Sequence, residues 1–226
     1  VIQLPTITKV IFISALYLNV PYEQMNCQNY VETVLSRAVS SDFQSLEKNM
    51  DAIRYSHDPE NYFTRNHFPA GDWIPNNIKK HYVYYSPLNT AVISKMEDRP
   101  AWCVSQLKSN SLCHEHFKKT WVILRYIPVA KIPEVASQIP SGSILFIVKP
   151  NKYTLISHMG FAIQKDNRLY LRAASSLAGK VTDYDFLNYL QFEPKVKGIS
   201  VLLPENRDQP NPSQGSSGKS AGSEDE

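Results

Sequence analysis

Long hydrophobic runs are missing from this chain. The longest near its start, Val10 to Ala15 extended to Val20, falls well short of the roughly 20 apolar residues a membrane span needs, and Asn19 interrupts it. A transmembrane helix is therefore not expected. Charge of one sign is also scarce: the formal net charge is +3 and no Lys/Arg run exceeds two residues, which speaks against a nucleic-acid footprint. Glycine is sparse, at 8 of 226 residues, and none of it forms a phosphate-cradling loop. Cysteine is limited to Cys27, Cys103 and Cys113. An odd number leaves at least one thiol unpaired; Cys103 and Cys113 are the natural pair in an oxidising compartment, and two buried reduced thiols are the alternative. Cys103, Cys113, His114 and His116 are also metal-ligand types, but their spacing fits no structural zinc pattern.

What is present is the make-up of one globular domain, 42% hydrophobic and 20% charged. Apolar residues recur at helical spacing from Ile7 to Leu18, again at Cys27, Tyr30, Val31, Val34, Leu35 and Ala38, and again at Phe43, Leu46, Met50 and Ile53. Residues 55–77 are irregular. The period then changes, with β-branched and aromatic runs at 82–85, 121–126, 144–148, 156–163, 169–174 and 199–203, a hairpin turn at 165–168 and a short helix at 184–190. Helices first and a meandering antiparallel sheet afterwards predict an α+β fold over residues 1–204. From Glu205 to 226 apolar residues vanish, which predicts a disordered polar tail.

Two residues stand out chemically. Cys27 opens a helix behind Asn26, a good N-cap, where backbone N–H groups and the helix dipole favour a thiolate. In Ser157 to Ile163, strand alternation puts Met159, Phe161 and Ile163 on one face and His158 with the small residues Gly160 and Ala162 on the other, as if to leave room for a ligand. His57, His67, His81, His114 and His116 compete as bases, and pattern alone does not choose among the six.

The string Asn26 to Leu35 resembles the nucleophile helix of an N-acetylmuramoyl-L-alanine amidase-like family, a branch of the NlpC-type papain-like cell-wall cysteine hydrolases. The segments 17–22, 53–55, 65–68, 72–74, 139–144, 157–160 and 174–181 fall in that family's order. The resemblance implies a papain-like fold, an exported periplasmic or extracellular protein, a peptidoglycan or muropeptide substrate, and amide cleavage without metal or cofactor. It implies Cys27 as nucleophile and His158 as base, with Tyr22, Arg65, His67, Trp73 and Ser175 on the substrate side. One position departs from the family: a polar residue that would orient the base is replaced by Ala173, after Arg172. A weakened or inactive peptidoglycan-binding protein of the same fold is the alternative that this departure raises.

Overall fold

The computed structural model describes residues 25–205. The expected first helix at 7–18, Tyr22 and the tail from 206 onward lie outside the described residues. Helix α1, Cys27–Ala38, is followed by α2, Phe43–Arg54, which opens on a capping box in which Asp42 and Ser45 exchange side-chain-to-backbone hydrogen bonds. A π-helical turn at Pro69–Trp73 runs into α3, Ile74–Lys79. Then come β1, Val83–Tyr85, and β2, Ala91–Glu97. A helical pair, α4, Arg99–Leu107, and α5, Asn110–His116, precedes β3, Thr120–Pro128. After the short α6, Ile132–Val135, the chain continues through β4, Ile144–Val148, β5, Ile156–Lys165, β6, Arg168–Ser175, and β7, Lys180–Asp185. It closes with α7, Phe186–Gln191, and β8, Gly198–Pro204.

The strands form one eight-stranded sheet in the order β2-β3-β8-β4-β5-β6-β7, with β1 also on β8, and every pairing is antiparallel. The α+β expectation and the antiparallel sheet hold. Asp166 and Asn167 both take positive φ, 51° and 58°, the conformation a two-residue hairpin turn requires. The 184–190 helix needs correction at its start: Tyr184 and Asp185 end β7, and the Asp185 carboxylate caps α7 by accepting from the Asn188 N–H. The polar boundary also moves, because the Glu205 N–H still donates to the Tyr82 carbonyl at 2.9 Å.

Alternation along the central strands builds a core on each side of the sheet. On one face Ile144, Phe146, Met159 and Phe161 pack against Tyr30, Val31 and Leu35 of α1 and Ile53 of α2. On the other Leu145, Ile147, Ala162 and Leu171 pack with Ile132 and Phe186. Each such large side chain removed from water contributes about 1.5–3 kcal/mol. A third cluster joins Phe68 and Phe117 to Cys103 and Cys113, which form a disulfide that ties α4 to α5. With both sulfurs bonded to each other, they are not available to a metal, and no metal-binding group of three such side chains occurs among the described residues.

Under the π-helical turn lies a buried charge cluster. Arg99 pairs with Asp72 at 2.8 Å and with Glu97 at 3.6 Å, and Gly71 leaves it space: a Cβ there would come within 2.0 Å of the guanidinium. Burial, only partly offset by Arg99, pushes the Glu97 carboxyl from 4.5 up to about 7. The folded protein therefore holds a proton that the unfolded chain has lost between those values, and stability should fall as pH rises from 4.5 through about 7. Glu97→Gln is expected to remove that decline and leave acid-side stability unchanged, as read from urea unfolding across the range. An unaltered decline in the variant would assign it to another group.

Candidate active site

Cys27 is the first residue of α1, and Asn26 before it caps the helix by accepting from the Asn29 N–H at 2.8 Å. The thiol is free and half-buried. Burial raises its pKa above the ordinary 9.0, against the pull of the Met159, Gln28 and Cys27 N–H groups, while nearby Glu32 adds to the rise. The expected acidified thiol is therefore corrected: at this helix start, loss of water outweighs the backbone donors.

A buried carboxylate holds the helix start in place. Glu32, one turn further along α1, has no exposed surface. Its carboxylate accepts from Arg65 Nη2 at 2.7 Å, Arg54 Nε at 3.3 Å, Trp73 Nε1 at 3.1 Å and Gln28 Nε2 at 3.0 Å. Gln28 also donates to the Asn66 carbonyl at 2.6 Å, and Arg65 to Asn29 Oδ1 at 3.0 Å. Arg65 and Trp73 thus grip α1 from beneath. Trp73 is fully buried, so it cannot touch a substrate directly, and its expected place on the groove is corrected to the core.

His158 lies near the start of β5, and Cys27 and His158 line the same hollow, of about 510 Å³. The strand register pairs His158 with Ile147, whose side chain belongs to the core on the face away from α1. At this end β5 carries a bulge: Val148 pairs with Ile156 and Ile147 with His158, leaving Ser157 unpaired. Bulges of this kind re-aim neighbouring side chains, and here the imidazole reaches the hollow at the strand's end. No hydrogen bond joins it to the Cys27 sulfur among the described residues. Gly160 has a different role from the one alternation suggested. A Cβ there would meet the Arg172 carbonyl oxygen at 2.5 Å and Ala173 Cβ at 2.9 Å, so its smallness serves the close approach of β6 and not an open cleft.

Of the competing histidines, His67 alone joins His158 on this hollow. It packs against the rings of Tyr62 and Trp102, its Nε2–H donates to the Tyr62 carbonyl at 2.7 Å, and burial lowers its pKa to about 4. Trp102 and Gln106 of α4 supply the adjoining wall. Burial lowers the His158 pKa too, while the nearby Glu193 carboxylate pulls it back up.

Ser175 occupies a second hollow, of about 680 Å³, which shares Ser157 and His158 with the first. Pairing of β5 with β6 runs from Lys165 and Arg168 to Phe161 and Arg172; continued, it would bring His158 opposite Ser175, where the hollow opens instead. Ser175 Oγ accepts from the Tyr184 hydroxyl at 2.6 Å and from the Ala178 N–H at 3.1 Å. Ala173 is buried, and Arg172 is engaged by both Asp183 oxygens at 2.7 and 2.8 Å, so neither orients the imidazole. The carboxylate that acts on His158 is Glu193, itself paired with Lys149.

The family model described as N-acetylmuramoyl-L-alanine amidase-like matches residues 14–199. The chain belongs to that family. No curated protein matches it. Among solved structures, a Legionella pneumophila protein shares 26% identity with a TM-score of 0.69, over 80% of this chain and 76% of that one. An N-acetylmuramoyl-L-alanine amidase from Bacteroides uniformis shares 24% with a TM-score of 0.69, over 80% and 84%. A putative xylanase from Bacteroides fragilis shares 22% with a TM-score of 0.66, over 78% and 85%, and both this likeness and that to the Bacteroides uniformis protein are of fold alone. Members of the amidase-like family are expected to be hydrolases, and no helix among the described residues is long and apolar enough to cross a membrane.

Proposed function

We propose that this protein is a cysteine hydrolase that cleaves an amide bond of peptidoglycan, at the N-acetylmuramoyl-L-alanine linkage or in the stem peptide, with Cys27 as nucleophile and His158 as general base. The observation that carries the reading is one hollow lined by both a free helix-start thiol and a strand-borne imidazole, in a chain of the amidase-like family. His158 takes the thiol proton as the sulfur attacks the carbonyl carbon, then gives it to the leaving nitrogen; water releases the acyl group from sulfur. The N–H groups of Cys27, Gln28 and Met159, which act against the rise of the thiol pKa, are the donors available to a developing oxyanion. A helix-borne Cys facing a strand-borne His supports a papain-like arrangement of the NlpC type, and the Cys103–Cys113 disulfide supports an exported location.

Incubation with purified muropeptides should release new amine ends, and Cys27→Ala should release none. Equal product from the two proteins would end the proposal. The rival reading, a peptidoglycan-binding protein without turnover, is favoured by the raised thiol and by Ala173 in the orienting position. Iodoacetamide separates them: alkylation of Cys27 that depends on intact His158 belongs to the enzyme, and alkylation indifferent to it belongs to the binder.

A further inference from the structure

A general base needs a partner on its far side. When one imidazole nitrogen takes the thiol proton, the other must already carry a hydrogen, and the group that accepts that N–H fixes the tautomer and the tilt of the ring. The Ala173 side chain offers no acceptor. Each carboxylate of the second hollow is held by a cation: Asp183 by Arg172, Asp185 by Arg168 and Glu193 by Lys149.

Ser175 is placed otherwise. On β6 it alternates onto the face of Leu171 and Ala173, which share a core with Ile147, the residue paired with His158. Three residues past the last β5–β6 pair, Phe161 with Arg172, it stands opposite His158 across the second hollow. Its Oγ accepts from the Tyr184 hydroxyl at 2.6 Å and the Ala178 N–H at 3.1 Å, and Tyr184 lies opposite Leu171 on the neighbouring strand. Those two donors occupy both lone pairs, so the serine has its own hydrogen left to place toward the hollow. A hydrogen cannot receive an N–H, but a water can accept from both. One water needs about 30 Å³, a small share of the hollow's roughly 680 Å³.

We infer that Ser175 is the positioning residue of this site: its hydroxyl, fixed by Tyr184, holds a water in the second hollow, and that water accepts the far N–H of His158. This rests on the hydrolase reading and moves Ser175 from the substrate to the base. The thiol proton travels on the near nitrogen from sulfur to leaving amine, and the far nitrogen keeps its hydrogen throughout, so the bridge neither gains nor loses a proton.

The test compares Ser175→Ala, Ser175→Thr and Tyr184→Phe in the full chain; Ser175 lies at a half-exposed strand end, where truncation spares the core. Ring ¹⁵N shifts of His158 report its tautomer: one form should dominate in the parent and in Ser175→Thr, and Ser175→Ala should show a mixture. Alkylation of Cys27 by iodoacetamide should slow about tenfold in Ser175→Ala, the worth of one neutral hydrogen bond, about threefold in Tyr184→Phe and hardly at all in Ser175→Thr. On a muropeptide the loss should fall on kcat with KM unchanged, whereas a substrate contact would raise KM. A raised KM with an unchanged tautomer, equal losses in the Ala and Thr variants, or a tautomer change in Tyr189→Phe instead would overturn the assignment. His158→Ala is scored beside them: alkylation and turnover indifferent to His158 remove the hydrolase reading, and a loss in His158→Ala with none in Ser175→Ala removes the positioning role alone.

Discussion

Replacing His158 with Ala is expected to lower kcat/KM on a muropeptide by roughly 10²–10⁴-fold, the usual worth of a positioned general base. The large effect follows from the state of the thiol. Because burial holds Cys27 above its ordinary pKa, little thiolate exists at neutral pH and the proton must be taken during attack. His158 lies at a partly exposed strand end, so its truncation disturbs little packing and the loss reports chemistry. His67→Ala is the matching control. That imidazole lines the same hollow, but its Nε2–H is committed to Tyr62 and its pKa near 4 makes it a weak proton acceptor, so the loss should stay below about tenfold. A pH profile adds a second check: with the His158 pKa lowered from 6.5, activity should persist below 6.5 and fall only as that ring gains its proton. A larger loss in the His67 variant, or an unchanged rate in the His158 variant, would reassign the base.

Replacing Glu32 with Ala should destabilise the fold by about 3–5 kcal/mol, the cost of leaving buried charge without its partner. Arg54 and Arg65, with side chains 11% and 17% exposed, would lose the carboxylate that lies against both, and the Trp73 and Gln28 N–H groups would lose an acceptor. Burial already depresses the Arg54 pKa against the pull of Glu32, so the guanidinium has little hydration to fall back on. Glu32→Gln keeps an acceptor oxygen without the charge and should recover part of the loss. Urea unfolding of the three proteins measures it, and a Glu32→Ala midpoint within about 1 kcal/mol of the parent would show that the arginines find other partners.

Much of this architecture was legible from periodicity. The stripe beginning at Cys27 is α1, and the β-branched runs at 144–148, 156–163 and 169–174 fall within β4, β5 and β6. Other elements hid for physical reasons. Lys180–Asp185 carries no strand signal because β7 is an edge strand with a polar face, and Ala91–Glu97 carries none because Ser94 and Lys95 break its apolar alternation. Helix α4 did carry a signal: Asp98, with Pro100 in the first turn, is a helix start, and Asp98 caps by accepting from the Ala101 N–H at 3.2 Å. For Glu32 there was none, since the convergence of Arg54, Arg65 and Trp73 on one carboxylate is made by folding. The second hollow was equally hidden: it lies past the end of the β5–β6 ladder, between His158 and Ser175, a matter of register and not composition.

The shared wall at His158 also has a consequence for chemical labelling. One imidazole borders both hollows, so a histidine-directed reagent reaches the ring from either side, and filling the Cys27 hollow alone should leave it open to attack through the other.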